Sequence, residues 1–248
     1  MAGIKRLPLK NTYNTRELGG YVNKNGQMTN YKSFLRSDDL ANLDKEDIEV
    51  LYNYGVRTVI DLRGTDELEE TGHPIRDTQN KIDFHHKPVY LSDSEAIYET
   101  LKVDKTTSFL EEYYLDILKE QTALRNVLST ILNAQAGGIL FHCFVGKDRT
   151  GIVAMILLGL CEVEEMDIIA NYEVSFSHIK QSPFIQEEIK KSTAGEYLSQ
   201  ARYIERALDY IKENYGTIHN YVESLGFTNE EIQSIRQRLV NEDSFSLI

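Results

Sequence analysis

One short segment constrains this chain more than any other: Phe141-His-Cys-Phe-Val-Gly-Lys-Asp-Arg-Thr-Gly151. It follows the apolar run Gly138–His142, which predicts a buried strand, and precedes the apolar run Ile152–Leu160, which predicts a helix. A loop between a strand and a helix aims backbone N–H groups and the helix N-terminus at one point. The segment therefore predicts an anion-binding loop that holds a phosphate group.

Four residues of this segment suit the transfer of a phosphoryl group. A helix N-terminus and cationic neighbours stabilise a thiolate, so Cys143 is the expected nucleophile. Arg149 returns to the same anion and offers a planar fork to two phosphate oxygens. Gly146 permits a tight turn, and Thr150 is placed to donate to the thiolate as an intermediate hydrolyses.

The simpler alternative treats Cys143 as a small buried apolar residue beside a polar turn that starts a helix. Against it, His-Cys-x-x-Gly-Lys-Asp-Arg fixes six positions, and a chance match in a chain of this length is rarer than about one in 10⁵. The pattern favours the catalytic interpretation.

With these residues the chain resembles the bacterial atypical protein tyrosine phosphatases of the Cys-x5-Arg superfamily, whose loop reads His-Cys-x-x-Gly-Lys-Asp-Arg-Thr-Gly. Some members also act on phosphoserine, phosphothreonine and phosphoinositides. Four further segments resemble the family: Asn14-Thr-Arg-Glu-Leu-Gly-Gly-Tyr21, Phe34-Leu-Arg-Ser-Asp38, Val59-Ile-Asp-Leu-Arg63 and Ala207–Val240. The resemblance covers nearly the whole chain.

The resemblance implies a metal-independent phosphatase that forms a phospho-cysteine at Cys143, with Arg149 binding the phosphate. His142 is expected to orient and polarise the loop rather than to act as a base. The other residues expected to bind the phosphate or substrate are Phe144, Val145, Gly146, Lys147, Thr150 and Arg63.

The general acid has two candidates, because the chain contains no tryptophan and hence no Trp-Pro-Asp loop. Asp148 lies inside the loop, and Asp61 ends a predicted strand. An acid must lie within hydrogen-bond reach of the leaving oxygen. The loop aspartate of the atypical family makes Asp148 the preferred choice, although an acid is also favoured at any helix N-terminus.

Several cations near the loop have two interpretations each. Lys147 resembles the lysine of phosphoinositide phosphatase loops, where an extra cation suits an extra phosphate; alternatively it is solvated or paired with a nearby acid. Arg16, Arg36 and Arg63 are secondary candidates for the rim of the pocket, because each lies near a predicted loop or strand end. Taken singly, each is more typical of a structural ion pair.

No metal site or cofactor is expected. The His85-His86 pair and His73 have no companion ligands in the sequence pattern. Cys161 continues the apolar run of the helix after the loop and is expected in the core, with a role as a resolving thiol the alternative.

The order of the predicted elements favours an α/β fold: a largely parallel sheet flanked by helices, with a helical C-terminal layer after about residue 164. No linker is visible, so we expect one catalytic domain over residues 1–248. The remaining predicted strands are Tyr31–Arg36, Val56–Leu62 and Ile82–Val89, and the principal helices are Lys45–Tyr54, Ser108–Lys119, Leu124–Ala134 and Tyr197–Asn214.

Composition excludes some partners. The formal charge of −12 repels nucleic acid and anionic membrane, and no stretch reaches the roughly 18 apolar residues of a membrane span. Two cysteines make no disulfide framework. We therefore expect a cytoplasmic chain, with secretion after loss of a leader left open, and no pattern predicts an oligomeric state.

Three other functions remain as alternatives to a protein phosphatase. One is a phosphoinositide phosphatase, and another is an arsenate reductase or rhodanese-like sulfurtransferase, which also use a loop cysteine. The third is a phosphate-binding module without turnover. Arg149, Lys147 and Asp148 together favour phosphate hydrolysis over the last two.

Overall fold

The computed structural model describes residues 5–77, 81–89, 108–191 and 197–240. In these ranges the chain forms a five-stranded sheet with the order β1-β2-β5-β3-β4. Strands β2 to β5 pair in parallel, and only β1 is antiparallel, along the edge of β2. The strands are β1 (Arg16–Glu17), β2 (Phe34–Ser37), β3 (Val56–Asp61), β4 (Asp83–His86) and β5 (Gly138–His142).

The predicted α/β class and largely parallel sheet are confirmed. The strand predicted at Tyr31–Arg36 starts later, at Phe34, because residues 31–33 form a turn in which Lys32 has a φ of 67°. The short β1 was not predicted, since two residues carry no alternation to recognise.

The middle of the sheet fixes the position of the loop. His142 at the end of β5 lies beside Ser37 of β2 on one side and beside Asp61 of β3 on the other. The carboxyl ends of three parallel strands therefore meet at one edge, which is where ligands bind in open α/β sheets.

The helices of the first half lie on both sides of the sheet. Helix α1 (Lys45–Tyr54) is capped by the Asp44 side chain and ends at Gly55, as predicted. The others are α2 (Thr65–Thr71), α3 (Ser108–Lys119), α4 (Gln121–Asn133) and α5 (Asp148–Leu160), with a 3₁₀ turn at Pro74–Asp77. Helix α5 starts four residues before its predicted beginning at Ile152, because the polar end of the loop already forms its first turn.

The C-terminal half is helical, as predicted. It consists of α6 (Glu165–Ile179), α7 (Pro183–Lys191), α8 (Ala201–Tyr215), α9 (Ile218–Ser224) and α10 (Asn229–Leu239). Helix α5 is buried on nearly every side between the sheet and this layer. Among the described residues, no helix combines the length and the apolar character that crossing a membrane requires.

Candidate active site

The carbonyl groups of the loop after β5 accept hydrogen bonds from neighbouring segments, which leaves its N–H groups for the interior of the loop. The carbonyl oxygens of His142, Phe144 and Gly146 accept from Leu62 N at 2.8 Å, Asp39 N at 3.0 Å and Asn14 Nδ2 at 2.9 Å. The carbonyl oxygens of Cys143, Val145 and Lys147 accept from His142 Nδ1, Asn14 Nδ2 and Arg36. Within the described residues, the N–H groups of residues 144–146 make no hydrogen bond, which leaves them for an anion.

Gly146 is required at its position for two reasons. Its φ of +69° is rarely adopted by other residues. A Cβ there would also lie only 2.4 Å from the carbonyl oxygen of Ser37. The predicted tight turn is therefore also a close approach between the loop and β2.

Arg149 is aimed at the loop by an acid that the sequence did not single out. Its Nη1 and Nη2 atoms donate to Oε2 and Oε1 of Glu67 on α2, at 2.5 and 2.9 Å. Burial alone would raise the pKa of Glu67, but the bonds from Arg149 hold it below its ordinary value. Glu67 is thus an ionised carboxylate that fixes the guanidinium beside Cys143.

We expect Glu67→Gln to lower kcat/KM for an aryl phosphate by about 10- to 100-fold, because it releases the guanidinium of Arg149. A displacement of a catalytic group by about 1 Å can reduce the rate by that factor. The amide oxygen of the glutamine can still accept from the N–H of Gly64, which donates to Glu67 Oε2 in the wild type. Glu70→Gln, on the exposed face of α2, is the matched control. An increase in kcat/KM would show instead that Glu67 competes with phosphate for Arg149.

Asp148 is held by a pair of buried tyrosines. The hydroxyl of Tyr114 on α3 donates to Asp148 Oδ1 at 2.5 Å, so its own oxygen must accept from the hydroxyl of Tyr172 on α6. Lys147 Nζ lies 3.3 Å from the same carboxylate oxygen and 3.3 Å from the carbonyl oxygen of Leu198. One oxygen of Asp148 is therefore fixed, while its carboxyl group lies in the wall of the cavity above Cys143.

Asp61 and Arg63 lie under the loop rather than in the cavity. Both side chains are fully buried, and the guanidinium of Arg63 grips both oxygens of Asp61. Arg63 also pairs with Asp39 at 3.0 Å and donates to Thr71 and Gly72. Burial raises the pKa of Asp61, but His142 and Arg63 together lower it to about 2. The contact of Arg63 with phosphate stays a prediction, although its guanidinium is bound to Asp61 and Asp39. An ionised, enclosed Asp61 is badly placed to donate a proton.

Two further arginines were expected at the rim and lie behind the loop instead. Arg36 donates to Asn171 Oδ1 at 2.6 Å and to Gly146 O at 2.8 Å, and Arg16 donates to Asn14, Asn171 and Ser175. Both are buried, and no carboxylate of the described residues forms an ion pair with either. Burial lowers the pKa of Arg36 to about 10, while Cys143 acts in the opposite direction. They support the loop from behind and add positive potential beneath it.

The prediction that His73 has no companion ligands is wrong. His73, His142 and Asp61 are all buried, with ligand atoms within 4.8 Å of one another. Two donors of Arg63 already occupy Asp61 Oδ1, and the two imidazoles share a hydrogen bond of 3.0 Å. The cluster is thus arranged as a hydrogen-bonded group beneath the loop.

A cavity of about 200 Å³ opens over the loop. Apart from loop residues, it is lined by Glu67, Leu110, Tyr113 and Tyr197. Thr150 is buried at the loop, and its hydroxyl has no hydrogen-bond partner among the described residues. Cys161 is buried in the core, as predicted.

This geometry accompanies a family match over almost the whole chain: the sequence model of the tyrosine phosphatase family matches residues 7–241. The chain belongs to the tyrosine phosphatase family. Its membership agrees with the resemblance seen in the loop, and the protein is a phosphatase.

Two curated relatives and one solved structure are similar to this chain. The tyrosine-protein phosphatase of Nostoc commune is 30% identical over 223 residues, which cover 84% of this chain and 74% of that protein. The triple specificity protein phosphatase PtpB of Mycobacterium tuberculosis is 25% identical over 245 residues, covering 81% of this chain and 88% of that protein. The crystal structure of P. aeruginosa TpbA aligns with a TM-score of 0.38 and 14% identity, covering 87% of this chain and 92% of that chain.

The tyrosine phosphatase loop of this chain draws its supports from distant segments. Asn14 and Arg36 come from the segments that resemble the family near the N-terminus, although the sequence did not reveal that they hold loop carbonyls. Glu67 had no such signal, because it is one of four acids within residues 66–70.

Proposed function

We propose that this phosphatase hydrolyses phosphotyrosine in proteins through a phospho-cysteine at Cys143. The observation that carries the proposal is the outward anchoring of the carbonyl groups of residues 142–147, which leaves a ring of N–H donors around the thiol. Arg149 uses one N–H of each Nη atom to bind Glu67, and its Nε–H and remaining Nη N–H groups are left as donors for phosphate oxygens. A tetrahedral phosphate dianion fits such a ring.

In the first step the Cys143 thiolate attacks phosphorus, and the bond from phosphorus to the tyrosine oxygen breaks. Asp148 gives its proton to the departing oxygen, and Arg149 and the loop N–H groups bind the charge that develops on the phosphoryl oxygens. In the second step Asp148 accepts a proton from water, which attacks phosphorus. The thiolate leaves, and we assign the donor to it as Thr150, whose buried hydroxyl has no hydrogen-bond partner among the described residues.

The walls of the cavity favour an aromatic ester. Leu110, Tyr113 and Tyr197 stand above the loop, and a phenyl ring gains free energy when it packs on aromatic and aliphatic side chains. A serine phosphate places only a short aliphatic stem in the same space. Phosphotyrosine is therefore the preferred substrate.

A second cavity of about 240 Å³ shares Phe144 and Val145 with the first. Its other lining residues include Phe184 and two carboxylates, Asp38 and Asp39. A basic side chain next to the phosphotyrosine suits this cavity, with its aliphatic stem on Phe184. Its charge would lie near Oδ2 of Asp39, because Oδ1 is already paired with Arg63. The further phosphates of a phosphoinositide would place negative charge next to these two carboxylates, so the cavity disfavours that substrate.

Lys147 gives little support to the phosphoinositide alternative. Its side chain is buried and its ammonium group contacts Leu198 and Asp148. The extra cation expected for an extra phosphate is thus used within the protein. We also propose that residues 1–248 form one catalytic domain, and that the protein works in the reducing cytoplasm, where Cys143 and Cys161 stay free thiols.

A substrate panel tests this assignment. We expect kcat/KM for a phosphotyrosine peptide with a neighbouring arginine to exceed that for the matching glutamate peptide by about fivefold, the effect of an ion pair worth ~1 kcal/mol. Asp39→Asn keeps the Oδ1 acceptor for Ala41 N and should reduce that preference. Phosphoserine peptides and a short-chain phosphoinositide complete the panel. Faster turnover of the phosphoinositide than of either tyrosine peptide would contradict the proposal.

A further inference from the structure

His73 lies in a segment to which neither the loop motif nor the family resemblance assigns a role. It follows α2 and precedes the 3₁₀ turn, with a side chain almost completely buried. Its ring packs against Phe84 at 4.4 Å and against His142 at 5.1 Å between ring centroids. His142 is the residue directly before Cys143, so His73 is one side chain removed from the thiol.

One backbone donor fixes the protons on both imidazoles. The N–H of Ile75 donates to His73 Nδ1 at 3.3 Å, so that nitrogen carries no proton. Burial and the neighbouring His142 lower the pKa of His73 to about 2, so the ring is neutral and its proton is on Nε2. This proton points at His142 Nε2, 3.0 Å away.

His142 must then accept at Nε2 and carry its own proton on Nδ1. Burial lowers the pKa of His142 below its ordinary value, which keeps this ring neutral as well. Its Nδ1–H donates to the carbonyl oxygen of Cys143 at 3.2 Å. A chain of three hydrogen bonds thus runs from Ile75 through His73 and His142 to the carbonyl group of Cys143.

The nearby charges do not select this tautomer. Asp61 Oδ1 lies 3.7 Å from His142 Nε2, beyond hydrogen-bond distance, and is held by Arg63. Asp39 also acts on His142, and Arg76 acts on His73. If His142 carried its proton on Nε2 instead, that N–H group would lie near Asp61 Oδ1. The lone pair of Nδ1 would then face the carbonyl oxygen of Cys143, where no hydrogen bond can form.

We propose that His73 is a positioning residue, which fixes the tautomer of His142 and so holds the Cys143 carbonyl group away from the phosphate. Loss of the donor from His73 leaves His142 free to redistribute its proton towards Asp61. The carbonyl group of Cys143 then loses its partner and can turn towards the bound anion, which it repels.

Three substitutions separate this role from simple packing. His73→Gln keeps an amide N–H that can reach His142. His73→Met fills a similar volume without a donor. His73→Asn keeps an acceptor for Ile75 but is too short to reach His142, so it serves if the methionine variant folds poorly.

The test combines imidazole ¹⁵N chemical shifts of His142 with kinetics on p-nitrophenyl phosphate. We expect the wild type and His73→Gln to show His142 protonated on Nδ1 and to agree in kcat/KM within about threefold. His73→Met and His73→Asn should show protonation shifting to Nε2 and a loss in kcat/KM of about 10- to 100-fold.

Two results would overturn the inference: an unchanged His142 tautomer in both variants that lack the donor, or equal losses of activity in the glutamine and methionine variants. The kinetic measurement rests on the proposed phosphatase mechanism. The NMR measurement does not depend on that mechanism. If the mechanism failed, the ¹⁵N shifts would still show whether His73 determines the tautomer of His142.

Discussion

Cys143→Ser is expected to lower kcat/KM for p-nitrophenyl phosphate by about 10⁴-fold or more, because a serine hydroxyl in this loop has no base to remove its proton. The ring of N–H donors and Arg149 remain in place, so the variant should still bind a phosphotyrosine peptide. The measurement is steady-state kinetics together with calorimetric titration of the peptide.

The second cysteine provides a matched control. Cys161 is buried in the core, where burial raises the pKa of its thiol to about 12, so it stays protonated. Cys161→Ala should therefore keep kcat/KM within about threefold while it lowers thermal stability, as expected for lost core packing. Comparable losses of activity in both variants would contradict the assignment of Cys143 as the nucleophile.

The second large effect concerns Asp148 and depends on the leaving group. A p-nitrophenolate departs without a proton, whereas an alkoxide or an ordinary phenolate needs one in the transition state. Asp148→Asn should therefore lower kcat/KM for poor leaving groups by about 10²- to 10⁴-fold and for p-nitrophenyl phosphate much less. The measurement is kcat/KM across esters of graded leaving-group pKa, where the variant should show a steeper dependence.

Asp61→Asn is the comparison that separates the two candidate acids. The carboxylate of Asp61 is enclosed by Arg63, so we expect its replacement to weaken the support of the loop. The variant should therefore lower kcat/KM for all the esters by a similar factor. A steeper leaving-group dependence in Asp61→Asn, with none in Asp148→Asn, would exchange the two roles.

The sequence predicted the loop well because its information is local. A strand, a glycine and a helix start follow one another within a few residues, so Cys143, Asp148 and Arg149 are brought together by the chain itself. The parallel arrangement of the strands could likewise be predicted from the alternation of apolar runs with helices.

The supports of the loop could not be predicted, because they depend on register and on long-range packing. Glu67 is distinguished from its acidic neighbours only by the face of α2 that reaches Arg149. Arg36 looked like a rim residue by its position at a strand end, yet the pleat turns it under the loop. His73 acquires its companion only when β5 places His142 beside it.

The measurement that tests the central claim most directly is acid quenching of the wild-type enzyme during turnover of p-nitrophenyl phosphate, followed by peptide mass mapping. The proposed mechanism predicts one added phosphoryl group, located on Cys143 and absent from Cys143→Ser. Product release in the first turnover without any phosphorylated enzyme, or a phosphoryl group on another residue, would contradict it.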